Sequence, residues 1–433
     1  QVQPGPGPTA APFEPPLRLQ PYDHENAVRG YRPAAALDNQ PYFDRAGRAF
    51  VRTATGLAIG SPAGWTQVSL NEATIERIPA FSEPITGVPS TKVAFDADDD
   101  VYLLATAGRQ LLLLHSADHG QSFRAYVIPG RTDRPRGLDF EQFSGNNVPV
   151  GPPPLVRNTQ VPTEPDPKLF WRRVNELDLF LPRKANGRLE LGEPIRVSDV
   201  SLGLSGHSGM PSAVVSRGDK VHVIWGEATP PEEKVPGVPT RVVTYDRTTA
   251  RLGEPALIGY GPPANDIHNT PSITMDMDGF LHALTGTHGQ PFHYARSRIA
   301  NDSGGGWTAP EPTGAGLSQT YVGLVCGPDG TLHLVYRLSQ RGVEPFPLAY
   351  QSTLTYQRKR PGQPWEPPRP LVVPAFSEYC VYYHRLTIDH TGTLYLSFDY
   401  WSTHWFYRND QRTRPRTVLT SSDGGDSWRF WQG

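Results

Sequence analysis

The chain has no marked excess of one charge, no long apolar run and few cysteines. Basic and acidic residues are nearly equal in number, 41 against 43, and no apolar run approaches the roughly 18 residues that cross a membrane. Balanced charge argues against a nucleic acid or a membrane surface as partner. Only two cysteines are present, which excludes a disulfide scaffold; Cys326 and Cys380 could either pair or be free and buried.

Glycine, proline and aromatic residues are by contrast abundant. The chain has 42 Gly, 46 Pro and 9 Trp, and this combination is typical of turn-rich all-β proteins. Residues 1–20 are rich in Pro and Gly, which predicts an N-terminal arm, and residues 21–433 are predicted to form a single domain. The sequence starts with Gln1 and a Pro/Gly/Ala tract, without an initiator Met or a basic-then-apolar leader, so we expect a secreted or periplasmic protein whose signal peptide has been removed.

A short motif, in which His or Tyr stands between two apolar residues, recurs along the chain. Its copies are Val101–Leu103, Val221–Val223, Leu281–Ala283, Leu332–Leu334 and Leu394–Leu396. The later copies are roughly 50 to 60 residues apart, and the first gap is about twice as long. We therefore expect less regular copies around residues 177–181 and 49–53, which makes seven units in all.

Many units add a third strand-like run, and two end in an Asp box, at residues 116–123 and 421–428. This pattern predicts an all-β fold, a seven-bladed β-propeller with antiparallel four-stranded blades. The Asp boxes should be structural, because their Asp and Ser side chains satisfy backbone N–H groups of a tight turn. His222, His282 and His333 share the apolar motif, so we expect them to pack and hydrogen-bond inside the blades.

Four residues of two neighbouring units are predicted to meet at one rim. In each unit an Asp-Gly turn, Asp278-Gly279 or Asp329-Gly330, joins two strand-like runs into a hairpin. The four residues stand before the outgoing strand or at the end of the returning strand, away from the turns; they are His268, His288, Tyr321 and Arg337. Arg binds carboxylates, and His and Tyr relay protons, so these four are candidate catalytic residues.

Other residues are expected at the same rim as substrate-binding residues. They are Asn269, Tyr383, Arg385, His207 and Trp401. The only carboxylates expected nearby are those of Glu227 and Asp399. Cys380 and His384 could contribute to a metal site, but two ligands are too few to assign one.

The stretch 265–340 resembles the BNR-repeat polysaccharide lyases, seven-bladed propellers that include the ulvan lyases. The resemblance lies in H-N-T-P-S-I…D-M-D-G-F-L-H…H-G, in F-H-Y-A-R-S, and in T-Y…D-G-T-L-H-L-V-Y-R of the next unit. It implies that His268, His288, Tyr321 and Arg337 form an active site. Residues 1–200 match weakly, and the family's T-Y-P reads T-Y-V at residues 320–322.

The implied chemistry is β-elimination next to a uronate in an acidic polysaccharide. Arg337 would neutralise the uronate carboxylate, with His288 or Asn269 bonding the same group. His268 or Tyr321 would remove the proton on carbon 5, and Tyr321 is suited to protonate the departing oxygen. No redox cofactor is required, and we expect any bound metal, zinc or calcium, to be structural. We further expect a monomer with neither a nucleic-acid nor a membrane partner.

Two other functions fit a propeller of this kind. A sialidase- or rhamnosidase-like glycoside hydrolase would share the fold and the Asp boxes, but it would normally need a pair of carboxylates or a Tyr–Glu nucleophile. A non-catalytic carbohydrate-binding propeller would tend to repeat its site in every blade, whereas the His, Tyr and Arg set occurs once.

Overall fold

The computed structural model describes residues 17–18, 40–53, 55–130, 135–161, 174–203, 212–230, 232–343, 346–373, 381–400 and 418–431. Within these residues the chain is all-β with one short helix, α1 (Leu70–Ala73). Its strands form seven antiparallel sheets that are the blades of a propeller, as the sequence predicts. No helix in this part of the chain is long and apolar enough to cross a membrane.

The strands follow the chain from blade to blade. A first short strand is β1 (Leu17–Arg18). Blade 1 contains β2 (Pro41–Phe43), β3 (Ala49–Arg52), β4 (Gly56–Ser61) and β5 (Gly64–Ser69). Blade 2 contains β6 (Thr74–Ile78), β7 (Ile85–Gly87), β8 (Val93–Phe95), β9 (Val101–Ala107), β10 (Gln110–Ser116) and β11 (Phe123–Val127). Blade 3 contains β12 (Pro135–Phe140), β13 (Leu155–Gln160), β14 (Asn175–Phe180) and β17 (Ile195–Ser201), with an inserted hairpin of β15 (Arg183–Ala185) and β16 (Arg188–Glu190).

The second part of the chain supplies the other four blades. Blade 4 contains β18 (Val214–Arg217), β19 (Lys220–Gly226), β20 (Val238–Asp246), β21 (Arg251–Leu252) and β22 (Ala256–Gly261). Blade 5 contains β23 (Ser272–Met275), β24 (Leu281–Thr285), β26 (His293–Ile299), β27 (Asp302–Trp307) and β28 (Glu311–Pro312). Blade 6 contains β29 (Ser318–Cys326), β30 (Leu332–Val343), β31 (Phe346–Lys359) and β32 (Arg369–Val373), joined by β25 (His288–Gln290). Blade 7 contains β33 (Val381–Ile388), β34 (Leu394–Tyr400), β35 (Leu419–Ser421) and β36 (Arg429–Phe430).

Two pairings depart from the antiparallel pattern. Strand β6 lies parallel to β11 at the outer edge of blade 2, and β1 lies parallel to β32 at the outer edge of blade 6. The second pairing joins Leu17 and Arg18, in the Pro/Gly-rich segment predicted to be an arm, to Val372 and Val373. The described part of that segment therefore covers a strand edge that would otherwise be open.

The core lies between the blades. Seven clusters of buried apolar side chains join neighbouring blades in turn, and the last of them joins blade 7 to blade 1. In that closing cluster the rings of Phe43 and Tyr395 lie 4.3 Å apart. Gln40 donates to Thr387 at 2.7 Å and accepts from Ser397 at 2.6 Å, which adds a buried polar contact to the same closure. A blade cannot bury both of its faces alone, so closure of the ring completes the core.

The structural roles predicted for the repeated motifs are confirmed. In the first Asp box the hydroxyl of Ser116 accepts from the N–H of Gly120 at 2.8 Å, and the second box has the same bond between Ser421 and Gly425 at 2.9 Å. The three motif histidines are buried and bonded inside their blades; His222 bonds to Thr244, His282 to Tyr294 and His333 to Tyr356. Burial lowers the pKa of both His222 and His333 to about 4.

The loop after β12, residues 141–149, closes the centre of the propeller at the end where the hairpin turns lie. Its Glu141 accepts from Ser216 of blade 4, its Ser144 contacts Thr274 of blade 5, and its Asn146 donates to Gly327 of blade 6. Its Phe143 stacks on His390 of blade 7 with ring centroids 4.0 Å apart. The loop therefore holds four blades together at the end opposite the predicted rim.

Candidate active site

The two predicted hairpins are present, but blade 6 extends further than the sequence suggests. His268 precedes β23, as predicted, whereas Tyr321 lies within β29 and Arg337 lies within β30. The prediction that Tyr321 precedes its strand and that Arg337 ends its strand is thus wrong. The polar segment 318–320 continues the ladder by pairing with residues 337–339, so the strands outlast the apolar runs that marked them.

Strand β25 brings residues of two blades together. It begins at His288, between β24 and β26 of blade 5, yet it pairs with β29 of blade 6, where His288 lies opposite Thr320. The backbone N–H of Tyr321 also donates to the carbonyl of Thr287 at 3.0 Å. This crossing places His288 beside Tyr321, with their rings nearly parallel and 6.2 Å apart between centroids.

Tyr321 has a strained backbone. Its φ is +63°, a left-handed conformation that is uncommon for a bulky residue, and the register of β29 against β30 shifts between Thr320 and Gly323. Strain of this kind costs about 1–3 kcal/mol and persists where the surroundings enforce it, which is common at functional sites. The bulge turns the Tyr321 ring towards His268, whose centroid lies 6.2 Å away.

Arg337 lies beneath Tyr321. Its Cζ is 4.7 Å from the centre of the phenol ring, a cation–π contact, and the residue is only 1% exposed. The sequence suggests that Arg337 clamps a carboxylate directly. In this conformation the guanidinium is buried against the Tyr321 ring, so its positive charge lies beside the phenol.

Asp266 connects the two catalytic-candidate histidines and was not predicted. His268 Nδ1 lies 2.7 Å from Oδ1, and His288 Nδ1 lies 2.5 Å from Oδ2. The backbone N–H of His268 also donates to Oδ1 at 3.0 Å. Burial alone would raise the pKa of Asp266, but the hydrogen bonds from His268 and His288 outweigh it and hold this pKa well below its usual range.

The signal for Asp266 in the sequence is the short motif Asp266-Ile267-His268 beside a rim histidine. The expectation that Glu227 and Asp399 are the only nearby carboxylates is therefore wrong. Glu227 is paired with Arg241 at 3.3 Å within blade 4, and the side chain of Asp399 lies outside the described residues. Asp266 went unnoticed because its partner His288 reaches it only through the crossing of β25.

The three groups Asp266, His268 and His288 could also be considered as metal ligands, since their ligand atoms lie within 4.8 Å of one another. Ligand atoms on one cation, each about 2.0–2.2 Å from it, stand roughly 3 Å or more apart. The N–O distances of 2.5 and 2.7 Å are those of hydrogen bonds instead. The geometry therefore fits a hydrogen-bonded trio.

The Cys380–His384 metal hypothesis finds no support in the described residues. His384 is fully buried, and its Nε2 donates to the carbonyl of Val335 at 3.2 Å. Burial, and to a lesser extent the charge of Arg337, lowers the pKa of His384 to about 3, so this imidazole is neutral. Cys326 carries a free, buried thiol, and Cys380 lies outside the described residues.

The predicted substrate-binding residues have mixed positions. Asn269 is 2% exposed and donates to the carbonyl of Pro262, so it stabilises the loop that carries Asp266. Arg385 is 7% exposed and donates to Thr91 of blade 2 at 3.2 Å. Neither is open at the rim, and a role in substrate binding stays a prediction for both. His207, Trp401 and the side chain of Tyr383 lie outside the described residues.

Comparison with known families gives one match. A family model described as "BNR repeat-containing family member" matches residues 239–430, somewhat less than half of the chain. The matched stretch contains all four predicted rim residues. Among curated proteins, no sequence matches the chain.

Several solved structures are similar to the chain at low identity. A polysaccharide lyase described as PL25 ulvan lyase bound to -[GlcA(1-4)Rha3S]- is 15% identical over 47% of this chain and 48% of its own, with a TM-score of 0.37. The GH74 enzyme of Niastella koreensis is 12% identical over 94% of this chain and 55% of its own, with a TM-score of 0.48. A Trypanosoma rangeli sialidase is 9% identical over 80% and 56%, with a TM-score of 0.37. The chain thus spans about half the length of the first two.

Proposed function

We propose that the protein is a polysaccharide lyase that cleaves a uronate-containing polysaccharide, with an ulvan-like or other rhamnose–glucuronate linkage, by β-elimination. The observation that carries the proposal is the composition of the rim. Two imidazoles share one carboxylate and adjoin a phenol that stands on a buried guanidinium. This set can take up a proton, donate a proton and offset negative charge, which are the three tasks of elimination next to a carboxylate.

The first task is to make the proton on carbon 5 acidic. The neighbouring uronate carboxylate must lose much of its negative charge before the carbanion-like transition state is accessible. His288 is the most exposed of the rim groups, at 31% of its side chain, and with both ring nitrogens protonated it can donate a hydrogen bond from Nε2 to the carboxylate. Arg337 adds a fixed positive charge from beneath the Tyr321 ring, since a guanidinium stays protonated.

The second task is proton transfer. A neutral His268 that donates its Nδ1–H to Asp266 has its lone pair on Nε2, and it can accept the proton from carbon 5. The electron pair of the C5–H bond then forms the C4–C5 double bond, and the C4–O bond breaks. The Tyr321 hydroxyl gives its proton to the departing oxygen, so that atoms and charges balance.

Asp266 does not favour the hydrolase alternative, although it adds a carboxylate to the rim. A glycosidase acid must hold a proton at working pH. Both Asp266 oxygens accept hydrogen bonds from histidines, which lower its pKa and keep it ionised.

The proposal is tested by following ultraviolet absorbance while the protein is incubated with ulvan, gum arabic and other uronate polysaccharides. Elimination produces a conjugated 4,5-unsaturated uronate, so absorbance should rise with at least one of them. Reducing ends without that absorbance would identify a hydrolase instead. If neither product forms and the polysaccharide is only retained, the protein is a binding propeller.

A further inference from the structure

We propose that Asp266 is the positioning residue of this site, whose single carboxylate fixes His268 and His288 together as Nδ1–H tautomers. The inference rests on the proposed function for its consequence in catalysis, but its structural claim can be tested without any activity. Asp266 does not touch the reacting atoms in the scheme above, and it was not among the residues predicted from the sequence.

The Asp266 carboxylate pairs with both imidazole rings. Each Asp266 oxygen accepts a hydrogen bond from one ring. Oδ1 lies 2.7 Å from His268 Nδ1, and Oδ2 lies 2.5 Å from His288 Nδ1. The rings stand 4.6 Å apart between centroids, held on either side of the same group. One carboxylate therefore determines the orientation of both imidazoles.

The charge of the Asp266 carboxylate determines which ring nitrogens carry protons. An ionised carboxylate has acceptors only, so each nitrogen that faces it must carry a proton. The Asp266 side chain is 14% exposed and accepts a third hydrogen bond, from the backbone N–H of His268. These bonds favour the ionised form, which makes Nδ1 the protonated nitrogen of both rings.

Protonation at Nδ1 determines what the other nitrogen of each ring can do. With Nδ1 protonated, the lone pair of a neutral imidazole is on Nε2, the nitrogen that a base must present. Two imidazolium ions this close would repel each other, and one carboxylate offsets only one positive charge. Tyr321 from β29 and the positive charge of Arg337 from β30 also face this pair. The arrangement thus disfavours a positive charge on both rings at once.

The decisive variant is Asp266→Asn, which keeps the shape of the side chain. An amide has one accepting oxygen and one donating nitrogen, so it cannot accept from both rings. One imidazole must then face an N–H donor and move its own proton to Nε2. If that ring is His268, it loses the lone pair at Nε2 that the proposed mechanism uses.

The tautomers are measured by two-bond ¹H–¹⁵N correlation spectra of histidine-labelled protein. The protein has 13 histidines, and the signals of these two rings are assigned by their loss in His268→Gln and His288→Gln. In the unaltered protein both rings should show a protonated Nδ1, and in Asp266→Asn one ring should carry its only proton on Nε2. Either ring as an Nε2–H tautomer in the unaltered protein overturns the proposal, whether or not the variant folds. So does an unchanged spectrum in a folded variant.

Activity gives the second readout. Asp266→Asn should reduce kcat on the order of 10²-fold with little change in KM, while the control Asp278→Asn, in an exposed turn of the same blade, should keep full activity. Equal kcat for Asp266→Asn and the unaltered protein contradicts the positioning role. If the unaltered protein makes no unsaturated product at all, the proposed function fails, and the spectra still decide the role of Asp266.

A metal ion on the trio is the outcome that would replace this proposal. Zinc chloride added to the unaltered protein should leave the imidazole signals of both rings in place. Loss of both Nδ1–H signals at one equivalent of zinc would show that the groups chelate a cation instead.

Discussion

The hydroxyl of Tyr321 can be removed with little change in the shape of the site. Tyr321→Phe keeps the ring on Arg337 and keeps the strained backbone, but it removes the hydroxyl that protonates the departing oxygen. We expect turnover to fall 10²- to 10⁴-fold, the range for loss of an acid–base group, with thermal unfolding unchanged. The matched control is Tyr245→Phe in blade 4, which should retain normal turnover. Near-normal activity in Tyr321→Phe would remove its role as the acid.

The charge of Arg337 can be separated from its bulk. Arg337→Met fills similar space without a positive charge, and Arg337→Lys keeps the charge without the planar guanidinium. We expect kcat/KM to fall on the order of 10²-fold in the Met variant and to be partly restored in the Lys variant, because the charge offsets that of the uronate. Initial rates of unsaturated product measure both. Equal losses in the two variants would indicate that packing beneath Tyr321, and not charge, is what matters.

The four catalytic candidates could be predicted from their residue types and positions, but the contacts that join them to Asp266 and bury Arg337 could not. His268, His288, Tyr321 and Arg337 were found because two hairpins repeat one pattern, and the structure brings the four together. Asp266 was missed because it joins His288 only after β25 crosses to the next blade, a pairing that no local periodicity signals. The burial of Arg337 follows from the bulge at Tyr321, which the apolar pattern does not reveal either.

At the scale of elements, the loop of residues 141–149 contains a buried carboxyl with an unusual pKa. Burial raises the pKa of Glu141 from 4.5 to about 7, although hydrogen bonds from Ser216 and Asn147 and the charge of Arg247 oppose this. A carboxyl whose folded pKa is raised stabilises the fold fully below its unfolded pKa. That contribution is lost as the pH rises through about 7.

Glu141→Gln should therefore change how stability depends on pH. In the unaltered protein, this group should lower the free energy of unfolding by up to about 3 kcal/mol between pH 4.5 and 7, and a glutamine cannot contribute this change. Urea unfolding of both proteins at pH 5 and pH 7.5 measures the difference. The same pH dependence in both would mean that Glu141 titrates normally.

The turns of the two hairpins could be predicted from the sequence, but the ends of their strands could not. The Asp-Gly turns at residues 278–279 and 329–330 gave both hairpins correctly, since turn chemistry is local. The polar residues 318–320 carry no apolar signal, yet they continue β29 because β25 and β30 supply hydrogen-bond partners on both sides. Tertiary pairing therefore lengthened these strands beyond what their own residues favour.

At the scale of the molecule, the repeated motif predicts the number of blades but not how the ring is closed. Closure depends on Gln40, which no repeat identifies and which is fully buried between Thr387 and Ser397. Blade 3 is also irregular, since an inserted hairpin, β15 and β16, lies between its last two strands. The spacing of the repeats therefore predicts neither the Gln40 contact nor the inserted hairpin.

Gln40→Ala should weaken the closure between blades 1 and 7. It leaves the buried hydroxyl of Ser397 without this partner, which costs about 1–3 kcal/mol, whereas Thr387 keeps its bond to the carbonyl of Pro41. The melting temperature should fall by several degrees, whereas the exposed control Gln121→Ala should leave it unchanged. A melting temperature equal to that of the unaltered protein would show that the apolar cluster closes the ring alone.

The central claim is that the rim formed by Asp266, His268, His288 and Tyr321 performs elimination, and product masses test it most directly. Elimination adds no water, so the two fragments of a cleaved uronate oligosaccharide must have masses that sum to the mass of the substrate. The account predicts this sum for the unaltered protein and a greatly reduced yield for Tyr321→Phe. A sum that is larger by one water molecule would show hydrolysis and contradict it.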